Sequence, residues 1–135
     1  MSAFKKLLGE KILTKDGEKD TETVLEGKKY VMLYFSAHWC PPCRGYTPQL
    51  AKAYENSSKA GKEVVIIFIS SDRDHTSFSE YYKEMPWHAI PFRESSIKRA
   101  ISEKFGIRGI PTLVLLDGEG NLVKGNIRGQ HDSYL

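Results

Sequence analysis

The sequence contains only two cysteines in 135 residues, Cys40 and Cys43. Two cysteines this close together cannot link distant parts of a chain, so they exclude a disulfide-stabilised scaffold and indicate chemistry at the pair itself. Such sparing use of cysteine is typical of a reducing compartment, and we expect a cytoplasmic or nuclear protein.

The sequence also lacks long apolar segments and a strong excess of charge. No stretch approaches the roughly 18 apolar residues that a membrane span requires, and the N-terminal residues do not have the pattern of a cleaved secretory signal. The net charge of +3 is small and dispersed, without a basic stripe interleaved with aromatic residues. We therefore expect neither membrane nor nucleic-acid binding.

What is present is the composition of a globular protein, with 40% hydrophobic and 27% charged residues. The length suits a single domain spanning residues 1–135. Within it, residues 1–29 show only weak patterns and are predicted to be a peripheral N-terminal extension.

Apolar runs and helical spacing alternate along the rest of the chain. Unbroken apolar runs predict buried strands at 30–35, 64–69 and 112–116. Helical spacing predicts helices at about 43–56, 75–85 and 95–105, with an irregular aromatic connection at 87–92. The Asp-Gly and Gly-Asn steps after residue 116 predict a hairpin to an antiparallel strand beginning at Leu122. This order indicates an α/β protein with a mixed sheet covered on both faces.

The cysteines follow the first buried strand, in the motif Trp39-Cys40-Pro41-Pro42-Cys43. Two prolines fit the first turn of a helix, so Cys40 is predicted to cap it. Unpaired backbone N–H groups and the helix dipole would stabilise a Cys40 thiolate and make it nucleophilic. Cys43, one turn later, lies on the same face and could close a small disulfide ring.

Longer segments carry a closer resemblance. WCPPCRGYTPQL (39–50), ISSDRD (69–74), YYKEMPW (81–87), IPF (90–92) and FGIRGIPTLVLLD (105–117) resemble, in order and spacing, the tryparedoxin and nucleoredoxin branch of the thioredoxin superfamily. The resemblance implies a thioredoxin-like fold and thiol–disulfide oxidoreductase activity. It implies no cofactor beyond the redox-active Cys40–Cys43 disulfide and no metal.

Carried over residue by residue, the resemblance assigns Cys40 as the attacking cysteine and Cys43 as the resolving one. Trp39, Pro41, Pro42 and Arg44 would support the active site, with Trp39 shielding it and Arg44 adding positive charge. Pro111 matches a proline whose peptide bond is cis in this superfamily. The backbone of Ile110 would then pair with an extended substrate segment.

Two features depart from the family pattern. Many thioredoxins have a buried Asp six residues before the first cysteine, and Tyr34 occupies that position here. The proton carrier for Cys43 therefore stays open between Glu80, Asp72 and Tyr34. The sequence also ends where the family usually continues into a final helix, so we expect either a truncated C-terminus or a variant form. A missing helix would expose apolar sheet surface.

The resemblance implies reduction of protein disulfides, such as those of peroxiredoxins, with electrons from a low-molecular-weight dithiol or a reductase. The alternative is a redox-sensitive, nucleoredoxin-like binding module for signalling partners. A direct peroxidase is disfavoured because Cys-Pro-Pro-Cys is suited to exchange. An alternative interpretation is that the cysteine pair supplies two of the four ligands of a zinc site. The remaining ligands would then have to come from scattered histidines, His38, His75, His88 and His131.

Overall fold

The computed structural model describes residues 2–135. Its helices are α1 (Ser2–Leu8), α2 (Thr21–Leu25), α3 (Pro41–Lys59), α4 (His75–Tyr82) and α5 (Ser95–Lys104). Its strands are β1 (Lys11–Thr14), β2 (Gly17–Asp20), β3 (Tyr30–Ser36), β4 (Val64–Ser70), β5 (His88–Ala89), β6 (Thr112–Asp117) and β7 (Leu122–Lys124). A 3₁₀ helix follows at His131–Ser133.

The strands form one mixed sheet in the order β2-β1-β5-β4-β3-β6-β7. The central strand β3 is parallel to β4 and antiparallel to β6, so its backbone is paired on both sides. Helix α3 begins a few residues after the end of β3. It therefore starts at the C-terminal ends of the central strands β3 and β4. The predicted mixed α/β sheet is confirmed.

Side chains alternate between the two faces of the central strands, as the period of an extended chain requires. The aromatic face, toward α3 and α4, is rich in buried rings: Tyr34, Tyr46, Phe68, Phe78, Tyr81, Tyr82 and Trp87. The aliphatic face, toward α1, α2 and α5, is dominated by branched side chains: Leu8, Ile12, Leu25, Val31, Leu33, Val65, Ile67, Ile69, Ile90, Ile101, Val114 and Leu116. The two faces give the sheet two cores of different character.

Strand β5 is an element that the sequence did not reveal. Residues 87–92 were predicted to be irregular, whereas His88 and Ala89 pair with β4 on one side and Ala89 pairs with Leu13 of β1 on the other. Two residues are too few for an alternating pattern to be recognised. This short strand joins the N-terminal hairpin to the rest of the sheet.

The description of residues 1–29 as peripheral needs correction. Their strands do lie at one edge of the sheet, but Phe4, Leu8, Ile12 and Leu25 are almost completely buried in the aliphatic face. The segment is therefore part of the hydrophobic core. Its short helices carry few apolar residues each, which is why their pattern is weak.

Part of the expected exposed apolar sheet surface near the C-terminus is found on β7, where the side chains of Leu122 and Val123 are exposed. Ile127 is fully buried, and its N–H donates to the Leu113 carbonyl at 2.7 Å. Tyr134 and Leu135 pack against the aromatic face, where Tyr134 meets Tyr30 edge to face at 5.7 Å. The last residues thus cover part of the sheet without forming an α-helix.

Within residues 2–135, none of the helices combines the length and the apolar character needed to cross a membrane.

Candidate active site

Cys40 is the N-cap residue of α3, as the sequence predicted. Its backbone is extended (φ −97°, ψ 110°), and its sulfur accepts the N–H of Cys43 at 3.4 Å. Pro41 and Pro42 occupy the first two helical positions, where their missing N–H groups leave no hydrogen bond unmade. The Cys40 sulfur therefore lies at the positive end of the helix dipole, where a thiolate is stabilised.

Cys43 lies deeper than Cys40. Its side chain is fully buried, whereas Cys40 is 5% exposed, and both thiols are free. Burial raises the pKa of Cys43 to about 11, reinforced by its hydrogen bond with Cys40 and opposed by hydrogen bonds to Ser36 and the Ala37 backbone. The two thiols therefore differ in both access and environment.

The loop before β6 brings Ile110 and Pro111 against the cysteines. The Ile110–Pro111 peptide bond is cis, as the resemblance implied. The Ile110 carbonyl lies 3.9 Å from the Cys40 sulfur, and its side chain packs on the small cluster of Ala37, Cys40 and Cys43. The backbone of residue 110 is thus placed beside the outer thiol.

Trp39 and Arg44 lie on the rim of the site. Trp39 is 50% exposed, its indole N–H donates to the Ser71 carbonyl at 3.1 Å, and the Arg73 guanidinium lies 5.3 Å from its ring. Arg44 is exposed on α3, directly after Cys43, as are Pro41 and Pro42 before it. The charge contribution predicted for Arg44 stays a prediction.

Asp72 holds the loop that precedes Cys40. One carboxylate oxygen accepts the N–H of His38 at 2.7 Å and the other accepts the Ser70 hydroxyl at 2.7 Å. His38 in turn stacks on Tyr81, with ring centroids 5.3 Å apart. Of the suggested proton carriers, Asp72 thus supports the loop, while Glu80 is exposed on α4.

Tyr34, the third suggested carrier, belongs to a buried set of hydroxyl groups that sequence reasoning missed. Its hydroxyl is 2.7 Å from that of Thr47, the Thr47 hydroxyl is 2.6 Å from that of Tyr81, and the Tyr81 hydroxyl is 2.6 Å from that of Ser36. Three different elements supply these residues, so only their three-dimensional arrangement reveals the set. Trp87 is fully buried in the aromatic face.

The four histidines do not converge on the cysteines. His131, for example, bonds the Tyr46 hydroxyl at the far end of the chain. Across residues 2–135, no three His, Cys, Asp or Glu side chains are grouped so that they could hold a metal ion. The expectation that the site works without a metal or an organic cofactor stays a prediction.

Comparison with known proteins agrees with this geometry. A family model described as Thioredoxin-like matches residues 27–122. Zebrafish (Danio rerio) nucleoredoxin is 41% identical over 120 residues, covering 89% of this chain and 28% of that protein. Tryparedoxin from Trypanosoma brucei brucei is 40% identical over 114 residues, covering 84% of this chain and 77% of that protein.

A solved structure of tryparedoxin II in complex with glutathionylspermidine superimposes with a TM-score of 0.87 at 32% identity, covering 98% of this chain and 92% of that one. The chain spans little more than a quarter of the length of the nucleoredoxin that it matches. The fold, the cysteine motif and the matches agree, and the chain therefore belongs to the thioredoxin-like oxidoreductase family, with tryparedoxins and nucleoredoxins among its relatives.

Proposed function

We propose that this chain reduces protein disulfides by dithiol–disulfide exchange through Cys40 and Cys43. The observation that carries the proposal is the difference between the two thiols. Cys40 caps the helix and keeps a small exposed fraction of 5%, whereas Cys43 is fully buried and donates its N–H to the Cys40 sulfur. Only the Cys40 thiol is placed to meet a substrate. The Cys43 thiol then reacts with the mixed disulfide that Cys40 has formed.

The reaction runs in two exchange steps. The Cys40 thiolate attacks one sulfur of the substrate disulfide, so a Cys40–substrate mixed disulfide forms and the other substrate sulfur leaves and takes up a proton. Cys43 then attacks the Cys40 sulfur, which releases the second substrate thiol and leaves the Cys40–Cys43 disulfide. A dithiol must then reduce this disulfide to complete the cycle.

The surroundings of Cys40 support an extended protein segment as substrate. The Ile110 backbone lies beside the outer sulfur and could pair with a substrate strand. The half-exposed Trp39 ring offers an apolar surface next to it, and Arg44 would add positive charge. In this arrangement the substrate disulfide is held in line with Cys40.

We further propose peroxiredoxins as targets and a low-molecular-weight dithiol or a reductase as electron donor. The tryparedoxin relatives support a small thiol donor, because tryparedoxin II has been solved in complex with glutathionylspermidine. A reducing compartment, cytoplasmic or nuclear, is part of this proposal, since both thiols must be regenerated.

A second candidate function is a redox-sensitive binding module. The half-exposed Trp39 beside the cysteines favours it, because closing the disulfide would alter the surface that a partner meets. The nucleoredoxin match is compatible with this role.

Catalytic turnover separates the two functions. Reduction of insulin disulfides by dithiothreitol should be accelerated by the wild type and not by Cys40→Ser. Cys43→Ser should accumulate a mixed disulfide without multiple turnovers. Loss of acceleration in the folded wild type would reject the reductase, and retention of a partner by Cys43→Ser would then favour the binding module.

A further inference from the structure

The buried hydroxyls beneath Cys43 form a continuous chain. From far to near they are Tyr34, Thr47, Tyr81 and Ser36, with oxygen–oxygen distances of 2.7, 2.6 and 2.6 Å. All four side chains are buried, and a side-chain interaction with Ser36 acts to lower the pKa of Cys43. Two of the four residues lie on strand β3, one on helix α3 and one on helix α4.

The chain has a definite direction when Cys43 is ionised. A hydroxyl donates one hydrogen bond and can accept others, and a thiolate can only accept. A Ser36 hydroxyl that donates to the Cys43 sulfur must leave its oxygen to accept from Tyr81. Tyr81 then accepts from Thr47, and Thr47 accepts from Tyr34. Every link is satisfied in this one orientation, which ends on the sulfur.

We propose that these four hydroxyls act as a neutral relay that stabilises the Cys43 thiolate when it resolves the mixed disulfide. Ser36 is the catalytic member because it contacts the reacting sulfur, and Tyr81, Thr47 and Tyr34 are positioning residues that polarise it. The inference rests on the proposed exchange reaction. It assigns the support of the resolving step to hydroxyl groups in place of a carboxylate.

The resolving step balances with solvent as the carrier of the proton. The Cys43 thiol gives its proton to water when it ionises, and the Cys43 sulfur then forms a bond to the Cys40 sulfur while the bond from Cys40 to the substrate breaks. The departing substrate sulfur takes up a proton from water and leaves as a thiol. The relay lowers the cost of the charge that Cys43 carries in between.

Burial explains why such support is needed. It raises the pKa of the Cys43 thiol, while the bond to Ser36 acts in the opposite direction. Hydrogen bonds in a chain polarise one another, and hydrogen bonds to an ionised group are stronger than those between neutral groups. A chain of four hydroxyls can therefore support the thiolate without placing a fixed charge in the core.

The titratable groups that face the relay come from four places. Cys40 lies at the start of α3, Tyr34 on β3 and Tyr81 on α4, and His38 of the preceding loop stacks on Tyr81. Asp72 is connected to this set through His38, because its carboxylate accepts the His38 backbone N–H at 2.7 Å. Replacing a relay hydroxyl leaves the carboxylate and imidazole groups in place, so they are common to all variants.

The aromatic disulfide dithiobis(nitrobenzoate), which releases a coloured thiolate when it is reduced, tests the relay and the exchange reaction separately. Attack by Cys40 on one equivalent releases a first coloured thiolate, and resolution by Cys43 releases a second. The first phase reports the proposed function and the second reports the relay. Absence of the first phase in the folded wild type would overturn the exchange reaction and the relay together.

Single-oxygen deletions are the variants of choice. Tyr81→Phe should slow the second phase by about tenfold and shift its pH profile upward, because the thiolate loses polarised support. Ser36→Ala should have a larger effect, and Tyr34→Phe, at the far end, a smaller one. In each variant the rate of the second phase is compared with that of the first, because only the second phase requires the Cys43 thiolate.

Tyr82→Phe is the matched control. Tyr82 is buried on α4, as Tyr81 is, but its single hydroxyl proton is shared between the backbone carbonyls of Trp87 and Leu13, at 2.9 and 3.2 Å, and is not donated to the relay. Its removal should leave the second phase unchanged. Equal slowing by Tyr82→Phe and Tyr81→Phe would overturn the relay, and so would an unchanged second phase in both Ser36→Ala and Tyr81→Phe.

Discussion

The two faces of the sheet differ in chemistry although the same strands build both. Leu33 and Tyr34 are neighbours on β3 and both are fully buried, but they point to opposite sides. Leu33 enters the aliphatic face, which consists of branched side chains and a few phenylalanines. Tyr34 enters the aromatic face, where its hydroxyl is bonded to Thr47 of α3.

The difference shows how one small domain separates stability from reactivity. The aliphatic face removes apolar area from water and has no polar atoms to satisfy. The aromatic face does the same with its rings and in addition carries hydroxyls that must be paired, since an unpaired buried hydroxyl is costly. The hydrogen bonds that pair these hydroxyls extend from the interior of the domain toward the cysteines.

Truncating Leu33 should break the stability of the domain without altering its chemistry. Leu33→Ala removes a fully buried side chain from the middle of the aliphatic face, and a loss of about 2 to 5 kcal/mol in the free energy of unfolding is expected. Urea unfolding measures this loss. Under conditions where the variant is folded, both phases of the aromatic-disulfide reaction should match those of the wild type.

Tyr34→Phe is the complementary change on the adjacent residue. It keeps the ring and removes one hydroxyl, so the expected loss of stability is only about 1 kcal/mol, with a slower second phase. If Leu33→Ala slowed the second phase as much as Tyr34→Phe, the two faces would not be functionally distinct.

Alkaline pH should destabilise the reduced domain through the buried Cys43 thiol. Burial raises the pKa of Cys43 from 9.0 to about 11, so the thiol stays protonated in the folded state at pH values where the unfolded chain has lost that proton. The unfolded state is then favoured as the pH rises from 9 to 11. The reduced wild type should lose at most about 2 kcal/mol relative to Cys43→Ser over this range.

The buried tyrosines of the aromatic face contribute equally to both proteins in that experiment. Burial also raises the pKa of Tyr34, Tyr81 and Tyr82, but these residues are present in both proteins. Denaturant unfolding of each at several pH values isolates the difference due to Cys43. Parallel curves would show that the Cys43 thiol does not oppose folding at high pH.

Much of this architecture could be predicted because it follows from local patterns. The apolar runs of β3 and β4 could only be central strands, and the two prolines after Cys40 fixed where α3 begins. The cysteine motif and the Ile110–Pro111 step were recognised from family resemblance. Each of these signals lies within a short stretch of sequence.

The remaining features depend on contacts between distant residues. Ser36, Thr47 and Tyr81 look like ordinary strand and helix residues. Only the packing of α3 and α4 on β3 brings the hydroxyls of Ser36 and Thr47 each to 2.6 Å from that of Tyr81. The N-terminal segment was underestimated for the same reason. Its few apolar residues gain their importance from the aliphatic face that they complete.

The smallest expected effect tests whether the aromatic face is one network or two. Tyr46 precedes Thr47 on α3, but its hydroxyl shares a 2.7 Å hydrogen bond with His131 and accepts the Gly129 N–H at 3.2 Å. Tyr46→Phe should therefore cost about 1 kcal/mol and increase hydrogen exchange after residue 126, because the C-terminal segment loses its bond to the helix. Both thiol phases should be unaffected. A slower second phase would mean that the C-terminal contacts and the relay act as a single network, so that the position of α3 couples the two.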